Sequence, residues 1–184
     1  MECYSSHDQY TCYSLIVYAI AKKDLKPETE KKLKDYLDYM KENDVNYPSW
    51  YELACWPDDI RNTGLKLFDG WHYADTPFYD GISPSESTFQ PHPKYNTTYV
   101  LIEAIKIFQT KGNMFFKSLM LRFFIHLVGD MHQPLHMTTR ITKERKGGDK
   151  GGNDFKLQGS INNLHTLWDR AMDKINAVKR VSLT

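Results

Sequence analysis

HLVGDMHQPLH, residues His126 to His136, is the stretch on which the reading of this chain turns. It places three histidines and an aspartate in eleven residues, directly after the apolar run Ser118–Leu127. His126 and Asp130 are four apart, so on a helix they stand one turn above each other on a single face. Gln133-Pro134 ends that helix, because proline lacks an N–H and restricts the residue before it. His136 therefore leaves a bend, from which it can look back at the same space or line a second one. Imidazole and carboxylate donors at these spacings suit a divalent zinc ion.

A second His-x-x-x-Asp, His165 with Asp169, starts a helix after Asn163 near the other end of the chain, with Trp168 and Met172 read toward the core. Two upstream segments carry further donors: Trp50–Ile60 (WYELACWPDDI), where Trp50 and Trp56 read as core and Asp58, Asp59 and Arg61 as the polar end, and Trp71–Asp75 (WHYAD) with His72. Seven candidate ligands result: Asp58, His72, His126, Asp130, His136, His165 and Asp169. One zinc needs three or four, so seven suggest two or three ions. Clustered metals at a phosphate ester favour in-line displacement.

The remaining chain reads as helical scaffold. Ser14–Lys23 is a short apolar helix closed by lysines. Pro27, Glu28 and Glu30 start another, with Leu33, Tyr36, Leu37 and Met40 as its buried stripe. Thr97–Thr110 is amphipathic, with Val100, Leu101, Ala104, Ile105 and Phe108 on the apolar side, and Asn113 caps the long helix that reaches Asp130. Residues of about 74–96 form a long loop. Those of about 140–154 form a glycine-rich one, followed at Phe155-x-Leu157 by a hairpin or a loop with a short strand. Helices dominate, with no convincing sheet, so the fold class is all-α and the 184 residues form a single domain.

Composition narrows the partners. With 41% hydrophobic and 26% charged residues the chain is an ordinary globular one, and a net charge of +1 carries no broad basic footprint for nucleic acid. An anionic substrate would have to be held by local charge or metal. Three cysteines are too few for a disulfide scaffold. No apolar run approaches a membrane span, and MECYSSHDQY shows no charged-then-apolar leader. Asn96-Thr97-Thr98 is a glycosylation sequon, meaningful only on export.

WPDDIR (Trp56–Arg61), WHYAD, HLVGDMHQPLH, GGDKGGNDF (Gly147–Phe155) and NLHTLWD (Asn163–Asp169) together resemble the zinc-dependent single-strand nucleases of the S-one/P-one type, in that family's order and over nearly the whole chain. The resemblance implies an all-helical fold of the zinc phospholipase C/single-strand nuclease type with a metal cleft between helices. It implies Asp58, His72, His126 and Asp130 as ligands of one zinc and His136, His165 and Asp169 as ligands of a second. Arg61 corresponds to the arginine that positions the phosphate, Tyr73 to a base-stacking aromatic, and Asp75 with Asn153 to the pair that hydrogen-bonds a base edge. Asp58 doubles as general base. The activity implied is phosphodiester hydrolysis in single-stranded DNA or RNA, giving 5′-phosphates and extending to 3′-nucleotides, by a monomer that is secreted or held in an acidic, lysosome-like compartment.

Two departures qualify it. The family's third zinc uses an N-terminal tryptophan, a histidine five residues on, and the aspartate matching Asp130. Here Gln9 and Ser14 fall at those positions, and His7 lies about 10 Å from Ser14 on a straight helix. The chain also stops some fifteen residues after Asp169, whereas the family continues. Two zinc sites are therefore expected with full protein ligands and a third incomplete. A zinc phospholipase C, which tends to carry glutamate at the last ligand, and a truncated, catalytically weakened homologue that binds zinc or nucleic acid are the alternatives.

Overall fold

The computed structural model describes residues 12–40, 53–91 and 94–171. Trp50, Met172, His7 and Gln9 lie outside the described residues. The chain gathers into two compact units, Met1–Ala74 with His92–His132, and Asp75–Pro91 with Gln133–Thr184.

The first unit is helical: α1 (Cys12–Asp24), α2 (Pro27–Asp38), α3 (Trp56–Asn62), a 3-10 helix (Lys66–His72), α4 (Thr97–Gln109) and α5 (Met114–His132). Local chemistry sets the starts. Pro27 opens α2 behind the extended Lys26, with Glu28 and Glu30 in the first turn, where the helix dipole favours acids. The Asn96 side chain accepts from Tyr99 N–H (3.1 Å), and Asn113 accepts from Phe115 N–H (2.7 Å), each satisfying a donor that the helix itself leaves open. Asn96→Ala should therefore lower stability by about 1 kcal/mol, or roughly 2–4 °C in Tm, read by thermal melting.

Helix α5 is the centre of this unit. Met120, Phe123 and Leu127 pack against Val100, Leu101 and Ala104 of α4. The Phe123 ring meets Trp56, Phe68 and Trp71 edge-on, with centroids 5.7, 5.1 and 4.8 Å away. Leu121 turns to Leu37 and Leu53. Arg122 is fully buried, donating to the Ser118 carbonyl (3.1 Å) and hydroxyl (2.6 Å) and to the Leu37 carbonyl (3.2 Å), in the last turn of α2 where carbonyls lack helical partners. Ile105, expected on the apolar side of α4, is 47% exposed. The helix buries a narrower stripe than its composition suggests. No helix among the described residues is long and apolar enough to cross a membrane.

The second unit corrects the expectation of no sheet. Thr76–Tyr79 (β1) pairs in parallel with Thr138–Ile141 (β2), in register from Thr76↔Thr138 to Tyr79↔Ile141. The segment read as a loop over 74–96 thus holds a strand and a 3-10 turn, Pro84–Glu86. Asp149 closes the glycine-rich loop onto β2, its Oδ1 accepting from Arg140 N–H (2.9 Å) and the Thr139 hydroxyl (3.2 Å). Phe155-x-Leu157 makes no strand; one antiparallel bridge, Lys156↔Asn163, stands there instead. Two short helices complete the unit, α6 (Pro134–Met137) and α7 (Leu164–Asp169). Trp168, expected toward the core, is 41% exposed.

Candidate metal centres

The first group of donors lies in the first unit. Asp58 sits in the first turn of α3, and His72 is the last residue of the 3-10 helix. The start of α4 fixes the backbone on both sides of His72: the Thr97 hydroxyl donates to Trp71 O (2.6 Å) and Thr97 N–H to Tyr73 O (3.2 Å). His126 and Asp130 project from one face of α5, both buried.

These elements bring the ligand atoms of Asp58, His72 and His126 together, with Asp130 against both imidazoles. His72 Nδ1 is 3.0 Å from Asp130 Oδ2 and 3.5 Å from Asp58 Oδ1. His126 Nε2 is 3.1 Å from His72 Nδ1, 3.2 Å from Asp130 Oδ2 and 3.6 Å from Asp58 Oδ1. A tetrahedral zinc with bonds of about 2.0–2.1 Å needs ligand–ligand edges of about 3.3–3.4 Å, which the separations among Asp58, His72 and His126 bracket. His126 Nδ1 donates to the buried Ala54 carbonyl at 2.7 Å, which presents Nε2 to the group.

The electrostatics are those of donors pressed together. Burial pushes the Asp58 carboxyl up, but the charge and hydrogen bond of His126 bring it below its ordinary value. Burial likewise opposes a charged His126, and the charges and hydrogen bonds of Asp130 and Asp58 raise it well above the usual imidazole range. A cation held by this group takes the place of that proton.

The second group lies in the second unit: His136 on α6, His165 and Asp169 on α7. Asn163 caps α7, accepting from Thr166 N–H at 2.7 Å. His136 Nε2 is 3.4 Å from Asp169 Oδ1 and His165 Nε2 is 3.5 Å from Asp169 Oδ2, with the two imidazoles stacked 4.9 Å apart. His165 Nδ1 donates to Gly151 O at 2.8 Å, again leaving Nε2 for the group. Asp169 Oδ2 is buried without a hydrogen bond, an arrangement that is unfavourable for a carboxylate oxygen unless a cation faces it. Two imidazoles and a carboxylate with a position left over match the donor set of a catalytic zinc.

Six of the seven candidate ligands thus fall into two groups of three, and Asp130 lies against both imidazoles of the first. The remaining site residues are placed separately. Arg61 Nε is 3.0 Å from Asp69 Oδ1, a partner that sequence reasoning missed. Tyr73 and Asp75 are half-buried, and Asp75 holds φ 47°, in the left-handed region that non-glycine residues seldom occupy. The Asn153 amide donates to Lys150 O at 2.9 Å. The Ala54 and Gly151 carbonyls were also unforeseen; backbone groups leave no residue-type signal.

The model of the S1/P1 Nuclease family matches residues 15–182. The chain belongs to the S1/P1 nuclease family. Among its relatives are Endonuclease 4 of Arabidopsis thaliana, 25% identical over 91% of this chain and 54% of the relative, and Endonuclease 1 of the same plant, 29% identical over 64% of this chain and 40% of the relative. Nuclease S1 of Aspergillus oryzae is 38% identical over a shorter stretch, 28% of this chain and 16% of the relative. This S1/P1 nuclease family member therefore spans about half or less of the length of the relatives it matches.

Ser14 is the described residue at the position where the resemblance puts the histidine of a third zinc. Among the described residues, His, Cys, Asp and Glu form two groups of three or more able to hold a metal. Ser14, where the histidine ligand was expected, is buried and donates its hydroxyl to His126 O at 3.1 Å. It packs so closely on Gly129 that a Cβ there would lie 2.4 Å from Ser14 Oγ.

Proposed function

We propose that this chain is a zinc-dependent hydrolase of phosphodiester bonds in single-stranded nucleic acid, with 5′-phosphate products. The observation that carries the reading is the group Asp58, His72 and His126, whose ligand atoms gather within reach of one cation, with Asp130 Oδ2 3.0 and 3.2 Å from the two imidazoles. The nuclease and endonuclease names of its relatives agree with it. His136, His165 and Asp169 hold a second zinc in this reading. Zinc, when bound, supplies charge that polarises a phosphoryl oxygen and renders water acidic enough to attack near neutral pH.

The chain's own residues do the rest. Asp58 is the more exposed carboxylate of its group and is placed to take the proton of the attacking water. Arg61, three residues on along α3, projects to the same side of the helix and grips the phosphate, with the Asp69 carboxylate as its charge partner at Nε. Tyr73 stacks on a base, a contact that tolerates any sequence and requires an unpaired strand. Asp75 and Asn153 hydrogen-bond the base edge.

Arg61→Ala should lower hydrolysis roughly 10–100-fold, the equivalent of one charged hydrogen bond of about 1.5–3 kcal/mol, with zinc content unchanged. The deciding experiment measures metal and activity on one preparation. Two zincs per chain with release of acid-soluble nucleotides from single-stranded DNA or RNA is the expected result. Release of phosphocholine from phosphatidylcholine instead would assign a phospholipase.

A second reading, zinc binding with little or no turnover, is favoured by Ser14 standing at the expected histidine position. Two zincs without digestion of any single strand would establish it.

A further inference from the structure

Gln133 is 1% exposed, and both ends of its amide are engaged. Its Oε1 accepts from Leu135 N–H at the start of α6, and its Nε2 donates to Asp169 Oδ1 at 2.8 Å. Chemistry fixes this orientation. A backbone N–H can only donate and an ionised carboxylate can only accept, so the oxygen must face Leu135 and the NH2 must face Asp169.

The two oxygens of Asp169 are thereby made unequal. Oδ1 is tied to the amide and stands 3.4 Å from His136 Nε2, whereas Oδ2 lies 3.5 Å from His165 Nε2 with no hydrogen bond. A carboxylate free to rotate offers either oxygen; one anchored through Oδ1 keeps Oδ2 aimed at the group. The same side chain holds the first turn of α6, three residues before His136. Ligands from two helices are thus referred to one rigid amide.

We propose that Gln133 is the positioning residue of the His136–His165–Asp169 metal group, orienting Asp169 for the cation and fixing α6 to it. This rests on reading those three residues as zinc ligands. Outer partners of this kind typically change metal affinity by about 10–100-fold when lost.

Two substitutions separate positioning from mere helix capping. Gln133→Glu keeps the size and the acceptor for Leu135 N–H but turns an oxygen toward Asp169. Gln133→Met removes both contacts. The full-length chain, stripped of metal, is titrated with Zn2+ against a chromophoric chelator. The Co2+ absorption of each protein and the melting temperature of each metal-free chain are recorded alongside.

The wild type should take up two zincs. Gln133→Glu should weaken one of them by about 10–100-fold, leave the other unchanged and alter the Co2+ bands of that site; with two carboxylates at one buried position it should also melt below wild type when metal-free. Gln133→Met should weaken the same zinc and also melt lower. If Gln133→Glu binds both zincs as tightly as wild type or tighter, the positioning role is overturned and the zinc reading stands. If Gln133→Glu weakens both zincs alike, the glutamine is structural and the proposal fails. His165→Ala distinguishes the other failure: a wild type that takes up no zinc removable by His165→Ala overturns the metal reading of this group, and the role of Gln133 with it.

Discussion

His126→Ala is expected to release one zinc per chain and to lower phosphodiester hydrolysis by about 10³-fold or more, the rate equivalent of the several kcal/mol that a metal contributes to charge stabilisation. The imidazole is fully buried, with Nε2 3.1–3.2 Å from His72 Nδ1 and Asp130 Oδ2. No other described side chain is positioned to take its place, because α5 presents that face only through His126 and, one turn on, Asp130. Truncation also strips the donor from the buried Ala54 carbonyl, a loss of about 1–3 kcal/mol. It leaves Asp58 and Asp130 with one positive neighbour fewer, which further opposes folding of the metal-free chain.

His132→Ala is the matched control. It lies on the same helix, but is exposed, and its Nδ1 donates to the Val128 carbonyl of its own turn at 2.7 Å. It should keep both zincs and melt within about 0.5 kcal/mol of wild type. Metal analysis and hydrolysis of a single-stranded substrate on the two variants decide the matter. A His126→Ala protein that still carries two zincs would remove this residue from the metal site.

How much of this was legible in the sequence depends on distance along the chain. His126 with Asp130, and His165 with Asp169, are readable because an i, i+4 pair is set by helix geometry alone. That Asp58 and His72 join the first pair depends on Phe123, Trp56 and Trp71 packing α3 and the 3-10 helix against α5, and no local pattern encodes it. Family resemblance supplied the grouping. Which imidazole nitrogen faces the cluster was beyond either source. It is Nδ1 for His72 and Nε2 for His126, and a carbonyl acceptor, Ala54 O, settles the second.

The strands were hidden for a related reason. TPFY carries a proline and TTRI a charge, and each is four residues long; only pairing across sixty-two positions makes them a sheet. Trp168 failed in the opposite direction. Apolar character placed it in the core, whereas α7 turns Asp169 inward and leaves its neighbour 41% exposed. Gln133 was seen only as the residue before a proline. Its buried amide acquires meaning once Asp169, thirty-six residues away, is beside it.

Gly151→Ala is expected to be the most damaging single-methyl change in the second unit, because two independent penalties meet there. Gly151 holds φ +60°, where an L side chain costs about 1–2 kcal/mol. A Cβ would also stand 2.2 Å from the Leu135 carbonyl oxygen and 3.5 Å from His165 Nδ1. The obstructing atom is backbone, so relief means moving α6 or the loop, at about 1–3 kcal/mol more. The sum, roughly 2–5 kcal/mol, corresponds to a fall in Tm of roughly 10 °C. The movement does not stay local. Leu135 adjoins His136, and Gly151 O is the acceptor that fixes His165, so both imidazoles of the group are displaced together. Metal sites tolerate errors of only about 0.2 Å, and zinc at this group should weaken by at least about 10²-fold. Gly81→Ala isolates the backbone penalty: its φ is +68°, and nothing lies within 4 Å of the added methyl. It should show a fall of only about 1–2 kcal/mol and bind two zincs normally. Equal melting temperatures and equal zinc affinities in the two variants would mean that the Leu135 contact does not constrain the group. A larger loss in Gly151→Ala on both measures ties the glycine of this loop directly to the geometry of the second metal.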